Sequence, residues 1–336
     1  MSSSQPNGKP KFAMYWATSC GGCEIAVLNI HEKILDVDAN FEVVFWPVAM
    51  DAKYKDVEAM PDGSILLTLF NGAIRNSENE HMAHVLRQKS KILVAFGSCA
   101  TEGCMPALAN LSSRQELLDT VYQTPSTVNP DAVRPQPHWQ APEGELTIPE
   151  FSPVVRTLDQ VVPVDYFIPG CPPESHQVGA VIDLVIQVLQ GKAELPPPRS
   201  VIGAGQSTVC DECTRQRNIK HIKKFVRIQE TEVDPELCLL EQGILCSGPA
   251  TRSGCDALCP QANMPCVGCY GPAEGVADFG ARLMTAVASV IDSQDPEEIE
   301  AILDGIPDPA GAFYRFNMAG SLLRASKAAW QKKQEA

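Results

Sequence analysis

Eight cysteines between Cys210 and Cys269 constrain this chain more than any other feature. They are Cys210, Cys213, Cys238, Cys246, Cys255, Cys259, Cys266 and Cys269, out of thirteen in 336 residues. Cys210/Cys213 and Cys266/Cys269 have Cys-x-x-Cys spacing, which on a tight turn presents two thiolates to one metal centre. Four thiolates complete a tetrahedral zinc site or hold a four-iron cluster, so eight ligands read as two centres. The gaps are uneven: 24 residues separate Cys213 from Cys238, and eight separate Cys246 from Cys255. The runs 246–255 and 263–272 are rich in Gly and Pro, giving irregular turns whose N–H groups can point at cluster sulfurs. These features favour iron–sulfur over a compact zinc ribbon, and zinc stays open as the alternative.

The rest of the sequence narrows the class. A formal net charge of −14 repels phosphate, which argues against nonspecific nucleic-acid or anionic-membrane binding. No apolar run reaches the roughly 20 residues of a membrane-spanning helix. Residues 1–10 are polar and read as a disordered leader without an export signal. Thirteen cysteines in that setting argue against a disulfide framework and for a reducing, cytoplasmic compartment. Nucleotide-binding, serine-hydrolase and zinc-protease motifs are absent from the sequence.

Upstream, the hydrophobic pattern predicts strands at 11–16, 41–46, 64–70, 91–96 and 164–168. Helices are expected at 24–35, 78–88 and 175–190. Alternation of this kind gives a parallel sheet covered on both faces, with ligands beyond the carboxyl ends of the strands. Three cysteine motifs fall there: Cys20 and Cys23, Cys99, and Cys171. The fold would gather these four thiols into a third site. Residues 122–160 read as a long, mostly irregular connection. The Pro-rich run 195–198 marks a boundary, so the expected domains are 11–198 and 199–285, with a helical tail over 286–336. A helix is expected from about 275 to 291, then an acidic stretch over 292–308 and an amphipathic stretch over 312–331. His81 and His84 read as an exposed helix face and His176 as a helix-start residue. Arg215, Arg217, Lys220, Lys223 and Lys224 form a basic stretch that could dock an acidic partner.

These residues together resemble a known family. The motifs Cys20-Gly21-Gly22-Cys23-Glu24, Gly97-Ser98-Cys99-Ala100 and Pro169-Gly170-Cys171-Pro172-Pro173 resemble the proximal-cluster motifs of nickel–iron hydrogenase small subunits. The segments 243–255 and 264–272 resemble their cytoplasmic group. The nearest likeness is to the gamma subunits of methyl-viologen-reducing, deazaflavin-non-reducing hydrogenases that work with heterodisulfide reductase. The first domain also resembles the cluster-carrying subunit of respiratory complex I.

The resemblance implies an α/β fold: a flavodoxin-like parallel-sheet domain followed by an irregular cysteine-rich iron–sulfur domain. It implies three 4Fe-4S clusters and no catalytic residue in this chain. Cys20, Cys23, Cys99 and Cys171 would hold the proximal cluster. Cys255, Cys259, Cys266 and Cys269 would hold the medial one, and Cys210, Cys213, Cys238 and Cys246 the distal one. Cys259 and Cys210 stand where many relatives have a non-cysteine and a histidine. Cys104 fits no set and reads as a spectator. The implied role is to carry electrons from a nickel–iron large subunit to an iron–sulfur acceptor subunit feeding heterodisulfide reductase. An apolar face around the Cys20 and Cys171 loops would bury against the large subunit. The competing readings are the small subunit of an NAD(P)-linked hydrogenase or sulfhydrogenase, a complex I-like adaptor, and a zinc-stabilised scaffold.

Overall fold

A computed structural model describes residues 8–218 and 222–323. The chain opens with β1 (Lys11–Trp16), α1 (Gly22–Leu28), α2 (Ile34–Asn40), β2 (Glu42–Phe45) and α3 (Tyr54–Glu58). It continues through β3 (Ile65–Asn71), β4 (Ile74–Asn76), α4 (Ser77–Lys89), β5 (Ser90–Phe96) and α5 (Ser98–Glu102). Strands β1, β2, β3 and β5 join β9 (Tyr166–Ile168) in one parallel sheet of order β2-β1-β3-β5-β9. Side chains alternate across it. Phe12, Met14, Val94 and Phe96 face one side; Ala13, Tyr15, Leu93 and Ala95 face the other. Val27 of α1, Val37 of α2, and Val178 and Val181 of α7 (Ser175–Leu189) cover the first side. Val57 of α3 and Met82, Ala83 and Leu86 of α4 cover the second. Burial on both faces explains why these strands read as near-continuous apolar runs. Helix α4 starts where the Asn76 side chain accepts the Asn79 N–H at 2.9 Å.

One expectation needs correction and another is refined. The helix over 24–35 is broken, because His31 sits at φ 56°, where an α-helix does not continue. The segment 122–160, expected to be mostly irregular, has no helix or strand over 123–137 but carries three short strands after it. After α6 (Arg114–Tyr122) come β6 (His138–Ala141) and β7 (Gly144–Thr147), paired as a hairpin, then β8 (Phe151–Arg156), paired antiparallel with β4. Trp139 and Leu146 of the hairpin are both exposed, so no inward–outward alternation marked it in sequence.

Past Pro198 the chain returns to the sheet, where Val201 bridges in parallel to Phe167 beside β9. Among the described residues the cysteine-rich part carries only short helices, α8 (Val209–Glu212) and α9 (Leu258–Gln261), ahead of α10 (Phe279–Ala288). Its core is Val209, Leu239, Leu240, Ile244, Phe279 and Leu283. The acidic stretch 292–308 contains α11 (Pro296–Leu303), which Asp295 caps by accepting the Glu297 N–H at 2.8 Å. The expected tail helix begins as α12 (Pro309–Tyr314), and its part beyond 323 lies outside the described residues. The two parts lock together: Gln160 donates to the Ala319 carbonyl at 2.7 Å, and the Glu174 N–H donates to the Tyr270 hydroxyl at 2.9 Å.

Candidate metal centres

Trp16, Asn71, Phe96 and Ile168 stand in one register row across β1, β3, β5 and β9. The three cysteine loops leave the sheet from that row. Cys20 follows four residues after Trp16, and Cys99 and Cys171 follow three after Phe96 and Ile168. The loops then clamp each other. The Gly97 N–H donates to the Ile168 carbonyl at 2.7 Å, and the Ser98 N–H donates to the Gly170 carbonyl at 2.8 Å. The Gly170 N–H donates back to the Ser98 hydroxyl at 3.2 Å. Gly97 has φ 82°, and a Cβ there would lie 2.3 Å from the Cys23 sulfur. Only glycine leaves room for that thiol.

Cys23 and Cys99 are buried and Cys171 is partly buried, while Cys20 is exposed at the rim. The Cys20 sulfur accepts the Gly22 N–H at 3.4 Å. Burial, reinforced by the neighbouring Cys99, pushes the Cys23 thiol well up from its ordinary value. Cys104, which fits no ligand set in the sequence, lies against this group. Its sulfur lies 3.6 Å from that of Cys171, and it packs with Cys99, Phe316 and Cys269.

A second group surrounds a small apolar pocket. Cys210, Cys213, Cys238 and Cys246 all line it, with Val209, Leu239, Leu240 and Pro249. Gly248 passes so close that a Cβ would sit 3.1 Å from the Cys210 sulfur. The Cys266 N–H donates to the Cys246 sulfur at 3.3 Å. Burial pushes Cys246 up to about 11 and Cys210 up to about 12. In the third group, Cys269 is pushed up to about 12, by burial first and then by Cys255, Cys171 and Cys259 nearby. Cys266 is buried beside Cys246, and its thiol donates to the Thr251 hydroxyl at 3.3 Å; Cys259 is exposed on α9. None of the thirteen cysteines is in a disulfide. Among the described residues, no three His, Cys, Asp or Glu side chains converge tightly enough to grip a single metal ion.

Other expected residues fall away from these groups. His81 pairs with Glu58 at 2.8 Å on an exposed face. His176 lies 4.0 Å from Asp256. Arg215 is buried, 7% exposed, and is not part of a basic surface. It donates to the carbonyls of Pro260, Asp234 and Leu237 and to the Asn263 side chain. Arg217, Lys223 and Lys224 are exposed, and Lys220 lies outside the described residues. Sequence reasoning missed Ser98 and Tyr270. Each sits directly beside a cysteine in a tight loop, and that position was the available signal.

Comparison with known proteins follows the same division. The family model described as NADH ubiquinone oxidoreductase, 20 Kd subunit, matches residues 20–185. That span holds the sheet-edge cysteines and none of the eight between 210 and 269. The iron-sulfur subunit of the F420-non-reducing hydrogenase of Archaeoglobus profundus is 42% identical over 93% of this chain and 97% of its own length. The chain belongs to the family of F420-non-reducing hydrogenase iron-sulfur subunits. The corresponding subunit of the vhu F420-non-reducing hydrogenase of Methanocaldococcus jannaschii is 37% identical over 93% of this chain and 96% of its own. The expected kinship with hydrogenase small subunits, and with the 20 Kd oxidoreductase subunit over the first domain alone, is therefore borne out. The fold of this hydrogenase iron-sulfur subunit is also that of a solved NiFeSe hydrogenase chain from Desulfovibrio vulgaris Hildenborough. That chain matches with TM-score 0.52 and 16% identity, over 79% of this chain and 94% of the other. The α/β sheet followed by a cysteine-rich region is thus the fold expected.

Proposed function

We propose that this chain is the electron-carrying small subunit of a cytoplasmic nickel–iron hydrogenase. It holds three 4Fe-4S clusters and passes electrons from a nickel–iron large subunit to an iron–sulfur acceptor feeding heterodisulfide reductase. Cys20, Cys23, Cys99 and Cys171 are the proximal ligands; Cys255, Cys259, Cys266 and Cys269 the medial; Cys210, Cys213, Cys238 and Cys246 the distal.

The observation that carries this reading is the cavity walled by all four Cys210-group thiols. Four sulfurs spread around an open volume suit a polynuclear core, whereas a structural zinc ion needs them drawn to about 2.3 Å from one point. Burial that raises these thiols also fits, because buried thiolates need the positive charge that iron brings. When bound, such clusters supply one-electron transfer. The chain's own residues hold the thiolates, exclude water and set the order of the sites. Cys269 packs against Cys171, and Cys266 donates its N–H to Cys246, so adjoining groups meet through protein. Trp16, Ile25 and Leu28 flank the Cys20 loop and are 41%, 56% and 52% exposed, which suits burial against a large subunit.

Anaerobic co-purification tests the reading. The complex should contain about twelve iron and about twelve sulfide per copy of this chain, four cysteines to each cluster. Hydrogen-dependent viologen reduction should need the large subunit. Stoichiometric zinc with little iron, or hydrogen uptake by this chain alone, would overturn it.

A further inference from the structure

We propose that Cys104 is a positioning residue for the proximal site: a permanent thiol that donates its S–H to the Cys171 sulfur and raises the potential there. The inference rests on Cys171 and Cys99 being proximal ligands.

The geometry holds Cys104 in place. Its sulfur is 3.6 Å from that of Cys171, within reach of a sulfur hydrogen bond, and the residue is 1% exposed. Its N–H donates to the Phe316 carbonyl at 3.1 Å, and its φ of 50° fixes the turn. Gly103 before it leaves no slack, since a Cβ there would fall 2.4 Å from the Ala319 Cβ. The side chain is buried against Cys171 and Cys99.

The direction of donation follows from chemistry. A ligating cysteine is a thiolate and has only lone pairs to offer. Four thiolates complete a four-iron cluster, so a fifth thiol beside them has no metal position left. Ionising it would add a like charge next to the ligands, in a buried setting. It keeps its proton and donates. Hydrogen bonds to ligand sulfurs favour the more negative, reduced state and so raise the potential. A cysteine that merely fills space would have no such effect.

The test uses the intact complex, with Cys104→Ala, Cys104→Ser and Cys99→Ala variants. Redox-titrated electron paramagnetic resonance and iron analysis are the readouts. The proximal signal is the one lost in Cys99→Ala. Cys104→Ala should keep full iron and shift the proximal potential downward, leaving the other two unmoved. Cys104→Ser, which restores an O–H donor, should return the potential toward the parent value. An unmoved potential in Cys104→Ala, or an equal shift in both variants, would overturn the donor role. Loss of about four iron in Cys104→Ala would instead make Cys104 a ligand, one cluster's worth being four. If Cys99→Ala removes no cluster, the ligand assignment fails and the donor role falls with it.

Discussion

The hydroxyl of Ser98 donates to the backbone carbonyl of Cys269, across 171 residues of sequence. The same oxygen accepts the Gly170 N–H at 3.2 Å. One small side chain thus ties the β5 loop, the β9 loop and the cysteine-rich part into one unit. Ser98→Ala would strand a buried donor and a buried acceptor. Each such group costs about 1–3 kcal/mol, so the loss in stability should lie in that range or somewhat above. Thermal unfolding of the anaerobic protein measures it, and a change below about 0.5 kcal/mol, the size of an ordinary surface substitution, would show the link to be idle.

Gly97→Ala addresses the space over the Cys23 sulfur. The new Cβ would lie 2.3 Å from it at φ 82°, so the thiol must leave. The expected outcome is loss of about four iron, one cluster, with the rest retained. Iron analysis and cluster-specific spectra check this; full iron with unchanged spectra would remove Cys23 from the site.

Cys210→His tests the distal assignment. Imidazole in place of thiolate removes negative charge from a cluster and raises its potential, as in Rieske centres. The distal signal should persist at higher potential, and delivery to a low-potential acceptor should slow more than delivery to viologen. Three unmoved potentials would exclude Cys210 as a ligand.

Glu102 sets a pH dependence. It lines a polar pocket with Asp159 and Arg252. Burial, then the charge of Asp159, pushes its carboxyl up to about 8 from an ordinary 4.5, against the pull of Arg252. The unfolded chain releases this proton near 4.5, while the folded chain holds it to about 8. This group's contribution to stability is therefore greatest below 4.5 and falls as pH rises through that window. Glu102→Gln should flatten the fall and unfold at a higher temperature than the parent at pH 8, with little difference at pH 4. Parallel melting curves for the two proteins at both pH values would contradict it.

Arg215 and its neighbours separate structure from docking. Arg215→Ala removes four hydrogen bonds made by one buried guanidinium and should destabilise the chain by about 3 kcal/mol. Reversing the exposed Arg217, Lys223 and Lys224 to Glu should leave stability nearly unchanged. It should slow electron delivery to an acidic acceptor at low salt, with the difference fading as salt rises. Stopped-flow traces at two ionic strengths check this, and a salt-independent rate would remove the basic surface from the docking site.

Much of this was legible in the residues. Strands buried on both faces announce themselves as apolar runs, so β1 and β5 were found within a residue of their ends. Cys20, Cys99 and Cys171 could be gathered because a parallel sheet delivers its loops to one edge. The β6–β7 hairpin was not legible, since Trp139 and Leu146 are both exposed and leave no periodic trace. Arg215 looked like surface charge because its partners are backbone carbonyls, which no side-chain pattern reveals. Cys104 carried no motif; its role comes from the turn at Gly103 that aims it at Cys171.

The shared row of Trp16, Asn71, Phe96 and Ile168 also bears on biosynthesis. Donors spread from Cys20 to Cys171 cannot meet until β9 has left the ribosome and paired with β5. No nascent fragment ending before residue 171 holds the set. The Cys210–Cys269 stretch, by contrast, is contiguous. Yet the carbonyl of its last cysteine accepts the Ser98 hydroxyl, so in the folded chain that stretch rests on the sheet edge. On the proposed ligand sets, the proximal site is complete only in a chain whose sheet has closed.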